Sequence, residues 1–303
     1  MSKNFWQKLK KPILALAPMA GITDGPFRRL CKKYGAQVVY SEMASVAALC
    51  YGSGETLELL KFDKSERPYV VQLFGSDPAQ FAEATKIIVK KIKPDGIDIN
   101  FGCPVKKVIK QGAGSALFKD LEKSRAVIEA VLANTNLPVS IKVRTEVGKI
   151  KLDKFLQNIS DLEISALMIH GRTFKQGFGG EIDVEAIKDA RKYLKGIILA
   201  NGGINSHEEI NKVLELTGAD GVGIARGAYG NPWIFSSAKP DKAEIFKVAY
   251  NHAKMMVKEK GDGGIMEMRK HLCWYMNGLD GAKKYREKLV TVKTLAEIKN
   301  CLK

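Results

Sequence analysis

A cysteine in a tight, glycine-containing turn offers the first chemistry. Asn100-Phe101-Gly102-Cys103-Pro104 closes a short apolar run, and Lys106, Lys107 and Lys110 follow it. An unperturbed thiol has a pKa of about 8.5, so at neutral pH it keeps its proton and can serve as a general acid. Taken alone, a loop cysteine is ordinarily a small packed apolar residue. The other chemically capable residues sit in comparable places, at or just after short apolar runs: Pro18-Met19-Ala20, Glu42, Gln72, Lys142 with Arg144, His170, Asn201-Gly202-Gly203, and Gly223 to Arg226. The glycines of the last two segments let backbone amides approach a phosphate, and Arg226 adds a forked cation, so these segments predict a phosphorylated ligand.

The elements that must carry these residues are eight runs of apolar, β-prone sequence: Ile13 to Ala17, Gln37 to Tyr40, Tyr69 to Phe74, Gly96 to Asn100, Val139 to Val143, Ala166 to His170, Gly196 to Ala200 and Gly221 to Ile224. Longer amphipathic stretches lie between them, which is the pattern of parallel strands joined by helices and buried on both faces. Eight such units predict an α/β fold, a closed (β/α)8 TIM barrel. Asp77-Pro78 is a helix start, and Asn205 or Ser206 with Gly218 bounds another helix. The active face of such a barrel is the C-terminal rim of its strands, where the capable residues accumulate, and the loops after strands seven and eight are its usual phosphate site.

Gly230-Asn231-Pro232 and Ala238-Lys239-Pro240 break the alternation, and a small helical domain is expected over 241–303 after a barrel over 1–240. That tail holds 14 Lys or Arg against 8 Asp or Glu, with Trp274, Tyr275 and Tyr285 among them. Basic side chains interleaved with aromatics suit an RNA surface, although such aromatics also serve as a small helical core. The whole chain of 303 residues has 49 Lys or Arg against 33 Asp or Glu, a formal charge of +16, which favours a polyanionic partner. The apolar stretch near the N-terminus is short and broken by Pro12 and Pro18, so it reads as a first strand, and no apolar run is long enough for a bilayer. A cytoplasmic protein with no membrane attachment is expected. The five cysteines are scattered without a CxxC pair, and they predict neither a disulfide framework nor a metal site.

Several segments resemble tRNA-dihydrouridine synthases, especially the bacterial B type: Leu16 to Asp24, Val71-Gln72-Leu73-Phe74-Gly75, Asp98 to Pro104, Gly112 to Leu117, Ile141 to Arg144, His170-Gly171-Arg172-Thr173 and Ala225-Arg226-Gly227-Ala228. The resemblance spans the barrel, and Arg269-Lys270-His271 to Arg286 is similar to the family's helical domain. It implies an FMN across the barrel mouth, with Pro18, Met19, Ala20, Gln72 and Asn100 around the isoalloxazine. Lys142 and His170 would flank its pyrimidine end, and Asn201, Gly202, Gly203, Gly223, Ala225 and Arg226 would hold the phosphate. Cys103 would be the proton donor to a uracil reduced at its C5=C6 bond, NADPH or NADH would be the reductant, and tRNA the partner, with no stable protein partner implied. Lys106, Lys107, Arg144, Arg172, Lys175 and Arg286 would contact the RNA. Three departures stand out. Phe174-Lys175-Gln176 replaces the usual Arg-x-Gln, Gly203 stands where an aspartate is usual, and Arg144-Thr145-Glu146 lacks the following glycine. Two other readings compete: a flavin barrel acting on a free pyrimidine, like dihydroorotate or dihydropyrimidine dehydrogenases, and a non-catalytic RNA-binding barrel. The first gives the charge no role, and the second none to Cys103, Lys142 and His170.

Overall fold

Eight parallel strands close into a barrel in the computed structural model, which describes residues 4–303. Met1, Ser2 and Lys3, the start of the expected 1–240 domain, lie outside the described residues. The strands are β1 (Ile13–Leu16), β2 (Val38–Ser45), β3 (Tyr69–Phe74), β4 (Gly96–Asn100) and β5 (Val139–Arg144), followed by a small hairpin, β6 (Glu146–Val147) and β7 (Ile150–Lys151). β8 (Ala166–His170), β9 (Ile197–Asn201) and β10 (Gly221–Ile224) complete the ring, and β10 pairs with β1. Helices cover the outside.

Burial explains why these sequences are strands. β4, β8 and β9 are buried at every residue, since one face meets the barrel interior and the other the helices. Side chains alternate accordingly: Ile13, Ala15, Val38, Tyr40, Val70, Met168 and Leu199 share an inner cluster with Trp6, whereas Leu16, Val39, Val71, Ile97, Ile99 and Ile198 belong to the large outer core beneath the helices. The helix Pro78–Lys91 starts where the sequence places it, with Ala79 N donating to Asp77 Oδ1 at 2.9 Å. Ser206, rather than Asn205, caps His207–Thr217, and Gly218 ends that helix in the left-handed conformation.

Two features depart from the expected pattern. β2 runs through Ser41 and Glu42 to Ser45, with its register against β3 shifting between Tyr40 and Met43. The polar pair Ser41-Glu42 ends the apolar signal, and an irregularity of this kind re-aims side chains where a strand meets a site. The β6–β7 hairpin was not expected; its two-residue strands are too short to show a period, and Gly148 turns it at φ +65°.

Beyond the barrel, the chain forms helices Lys242–Lys260, Gly263–Tyr275, Ala282–Leu289 and Leu295–Cys301. They have their own core, built on Phe246, Met256, Met268, Leu272, Tyr275, Leu289 and Ile298, to which Leu30 and Trp233 of the barrel contribute. No helix among the described residues is long and apolar enough to cross a membrane.

Candidate active site at the barrel mouth

The C-terminal strand ends surround a cavity of about 580 Å³, a size usual for small-molecule and cofactor sites. Pro18, Met19 and Ala20 reach it from β1, Gln72 from β3, Asn100 and Cys103 from β4, and Lys142 and Arg144 from β5. His170 and Arg172 enter from β8, Asn201, Gly202 and Gly203 from β9, and Gly223, Ala225 and Arg226 from β10. Met43, Val105, Phe178, Asn205 and Tyr229 also line it. None of these five was named as a site residue from the sequence: Asn205 was read as a helix cap, Met43 had only its place beside Glu42 as a signal, and Val105, Phe178 and Tyr229 lie outside the regular elements.

A continuous chain of side-chain amides links the interior to the cysteine turn. Ser140 Oγ donates to Asp98 Oδ1 at 2.6 Å, and Gln72 Nε2 donates to Asp98 Oδ2 at 2.7 Å. Asn100 Nδ2 donates to Gln72 Oε1 at 2.9 Å. Asn100 Oδ1 accepts from Gly102 N at 3.0 Å and from Cys103 N at 2.9 Å. Asn100 was expected to touch a cofactor; it lines the cavity, but its amide is directed at the cysteine turn. Burial pushes the Asp98 carboxyl up to about 6, opposed by its two hydrogen bonds. Burial also raises the Cys103 thiol, against a smaller opposing pull from backbone N–H, Arg144 and Lys142, so the group is a protonated thiol at neutral pH.

Cations gather on the other side of the site. Lys142 Nζ donates to Asn201 Oδ1 at 3.2 Å, and Asn201 Nδ2 donates to Gly223 O at 2.6 Å. Burial first, and then Arg144, lower Lys142 to about 8, which leaves it mostly charged at neutral pH. His170 is driven to about 2 by burial and then by Lys142, Arg144, Arg172 and Arg226, and it is therefore neutral. Arg172 Nε donates to Gly180 O at 2.8 Å, while its buried Nη1 has no partner. That guanidinium abuts the glycine pair: a Cβ on Gly202 would stand 3.2 Å from Nη1, and one on Gly203 3.8 Å from Nη2. Arg226 Nη2 donates to Phe178 O at 3.2 Å. Unpaired cation, glycine amides and Arg226 together make an anion cradle.

Two of the residues expected to contact RNA line the cavity instead of the outer surface. Arg144 and Arg172 are buried, not presented on the outer surface. Arg144 Nε donates to Gly102 O, and its Nη1 to Thr173 O and Gly177 O, each at 3.0 Å, so it ties the cysteine turn to the loop after β8. Lys106, Lys107 and Lys175 are exposed around the mouth, and Arg286 lies on the tail helix Ala282–Leu289 near Asn277. The tail also grips the loop that carries Met19 and Ala20. Lys270 Nζ donates to Gly21 O, Gly21 N donates to Glu42 Oε2, and Lys260 Nζ lies 2.7 Å from Asp24 Oδ2. Tyr229 stacks on Trp274 with centroids 4.0 Å apart.

Comparisons with known proteins bear on the fold and the family. The barrel superposes on a histamine dehydrogenase from a Rhizobium species with a TM-score of 0.56 at 11% identity, over 80% of this chain and 49% of that one. It also superposes on a TcOYE chain solved with pHBA, with a TM-score of 0.54 at 11% identity, over 73% and 86% of the two chains. At such identity these likenesses concern the fold alone. In sequence, the chain is 34% identical to a probable tRNA-dihydrouridine synthase 1 from Synechocystis, over 94% of this chain and 84% of the relative. It is 36% identical to the tRNA-dihydrouridine synthase B of Pseudomonas aeruginosa, over 90% and 86%. The family model described as Dihydrouridine synthase (Dus) matches residues 15–303. The chain therefore belongs to the dihydrouridine synthase family.

Proposed function

We propose that the chain reduces specific uridines of tRNA to dihydrouridine, using FMN held in the barrel mouth and NADPH or NADH as reductant. The observation that carries this reading is one cavity lined both by a protonated thiol, Cys103, and by an anion cradle with a buried, unpaired Arg172 Nη1. The residues fit FMN. Asn201, Gly202, Gly203, Gly223, Ala225 and Arg226, joined by Arg172, would hold the phosphate, and Pro18, Met19, Ala20 and Gln72 would meet the isoalloxazine. When bound, FMN would supply the hydride that reduces the uracil at C6.

The chain's own residues supply the rest. Lys142 would set a cation beside the bound flavin's pyrimidine end, where it would stabilise negative charge. His170 is neutral, so it contributes a hydrogen-bonding ring without adding to the positive charge. As C6 gains hydride, charge develops at C5 and O4 of the conjugated uracil, and the Cys103 Sγ–H proton goes to C5; solvent then reprotonates the thiolate. The five-donor forks of Arg144 and Arg172 hold the mouth loops in place around this site.

The target base is stacked in folded RNA and must be turned out to reach the mouth. Exposed Lys106, Lys107 and Lys175, with Arg286 and the basic tail, are placed to hold the flanking phosphates. A cytoplasmic location accords with such a substrate. A free pyrimidine as substrate would leave the charge of +16 without a role. The test is to map dihydrouridine by mass spectrometry across tRNAs from a strain lacking this gene. Loss at a defined position, restored by the wild-type gene, is expected; unchanged dihydrouridine at every position would exclude the proposal.

A further inference from the structure

Asp98 and Asn100 lie two apart on β4, so both side chains point to the barrel interior. Asp98 is fully buried, and its carboxylate is the terminus of the amide chain described above. The direction of every link in that chain is forced. Gly102 N and Cys103 N are donors, so Asn100 must turn Oδ1 towards them. Its Nδ2 then faces Gln72 and, at 3.7 Å, Met43 Sδ. Gln72 must answer with Oε1, which leaves Nε2 pointing inward and in need of an acceptor. Asp98 Oδ2 meets that need at 2.7 Å. Reversing Gln72 would set two NH2 groups against each other, at the cost of two buried hydrogen bonds.

We propose that Asp98 is a positioning residue for Cys103: it orients Gln72, through Gln72 it orients Asn100, and through Asn100 it fixes the backbone of the turn that carries the thiol. The inference rests on Cys103 as the proton donor of the proposed reaction, and it adds a role for a residue remote from the reacting atoms. A buried carboxylate that merely completes the barrel interior would stabilise the fold without governing that turn. The two roles separate experimentally.

The experiment compares the holoenzyme with Asp98→Leu, which fills similar space without an acceptor, and Asp98→Asn. In Asp98→Asn, Oδ1 still accepts from Gln72, and Nδ2 faces the Ser140 hydroxyl, which can accept. Hydrogen exchange by mass spectrometry, peptide by peptide, reads the turn directly. For Asp98→Leu, exchange across residues 100–105 should quicken on the order of 10-fold, the loss of about one hydrogen bond's protection, with tail peptides unchanged. Turnover should fall on the order of 10-fold to 100-fold with KM for tRNA unchanged, and iodoacetamide should label Cys103 at an altered rate. Asp98→Asn should restore all three to within a few-fold. Should Asp98→Leu not fold, Asp98→Ala is read by the same criteria. Unchanged exchange at 100–105, equal behaviour of the Leu and Asn variants, or exchange quickened uniformly over the barrel would overturn the proposal. The exchange readout needs no turnover, so an inactive wild type would refute the reaction, and a fully active Cys103→Ala variant would remove the thiol from it, while either leaves this result to stand by itself.

Discussion

At the scale of single residues, the chemistry rests on protonation states set by burial. Cys103 is raised by burial and is an acid, not a thiolate. Cys103→Ala should keep the yellow cofactor yet lose on the order of 100-fold or more in dihydrouridine formation, as measured by nucleoside analysis of tRNA; near-normal turnover would remove the thiol from the mechanism. Lys142, at about 8, is the site's adjustable cation. It carries charge below that value and loses it as pH rises through it, so FMN affinity measured by flavin fluorescence should weaken above about pH 8. A Lys142→Met variant should bind FMN weakly and lack that pH dependence. Residue identity and order were enough to put Cys103, Gln72, Lys142, His170 and the glycines at the cavity, since each lies in the C-terminal half of a strand or just past its end. The roles of Arg144 and Arg172 were not legible. A sequence shows that a residue is basic, but burial and the carbonyls around it decide whether it faces a phosphate outside, a cradle inside or a neighbouring loop.

At the scale of elements, the eight strands were legible because double-sided burial leaves uninterrupted apolar runs. The extension of β2 was not, because Ser41 and Glu42 break the run while the backbone continues. Nor could the sequence show how the tail docks. There, Gly230 has φ +62°, and a Cβ on it would run into the main chain of Trp274 and Tyr275. Gly230→Ala should therefore lower stability by roughly 2–4 kcal/mol, combining left-handed strain with overpacking, and a thermal melt would show it. The same junction holds His252 and His271, both buried, with ring centroids 4.8 Å apart; His252 stacks on Phe27 of the barrel, and His271 meets the same ring at a tilt. Burial holds His252 down at about 4 and His271 well below its ordinary 6.5, so both are neutral in the folded protein. The unfolded chain takes up protons near 6.5 and the folded one does not, so stability present above that pH is lost as the pH falls from about 6.5 towards about 4. Denaturant melts across that range check the sign; a protein equally stable at both ends would contradict it.

At the scale of the whole molecule, the barrel gathers the site's side chains at one rim, while the proposed tRNA would be seated by the basic exterior and tail. Binding of tRNA should weaken linearly in log-log terms as salt rises, and Lys106→Glu with Lys107→Glu should reduce both affinity and slope without changing flavin content. An unchanged slope would place the RNA elsewhere. The formal charge of +16 favours a polyanionic partner but does not trace the path of an RNA over the surface, since charge says nothing about which lysines converge. The decisive measurement is a single turnover under anaerobic conditions: enzyme with its flavin fully reduced is mixed with unmodified tRNA, and flavin absorbance and dihydrouridine are followed together. Flavin should be reoxidised with one dihydrouridine formed per flavin, and free uridine should not replace the tRNA. A colourless protein that takes up no FMN, or reoxidation without dihydrouridine, would contradict the assignment.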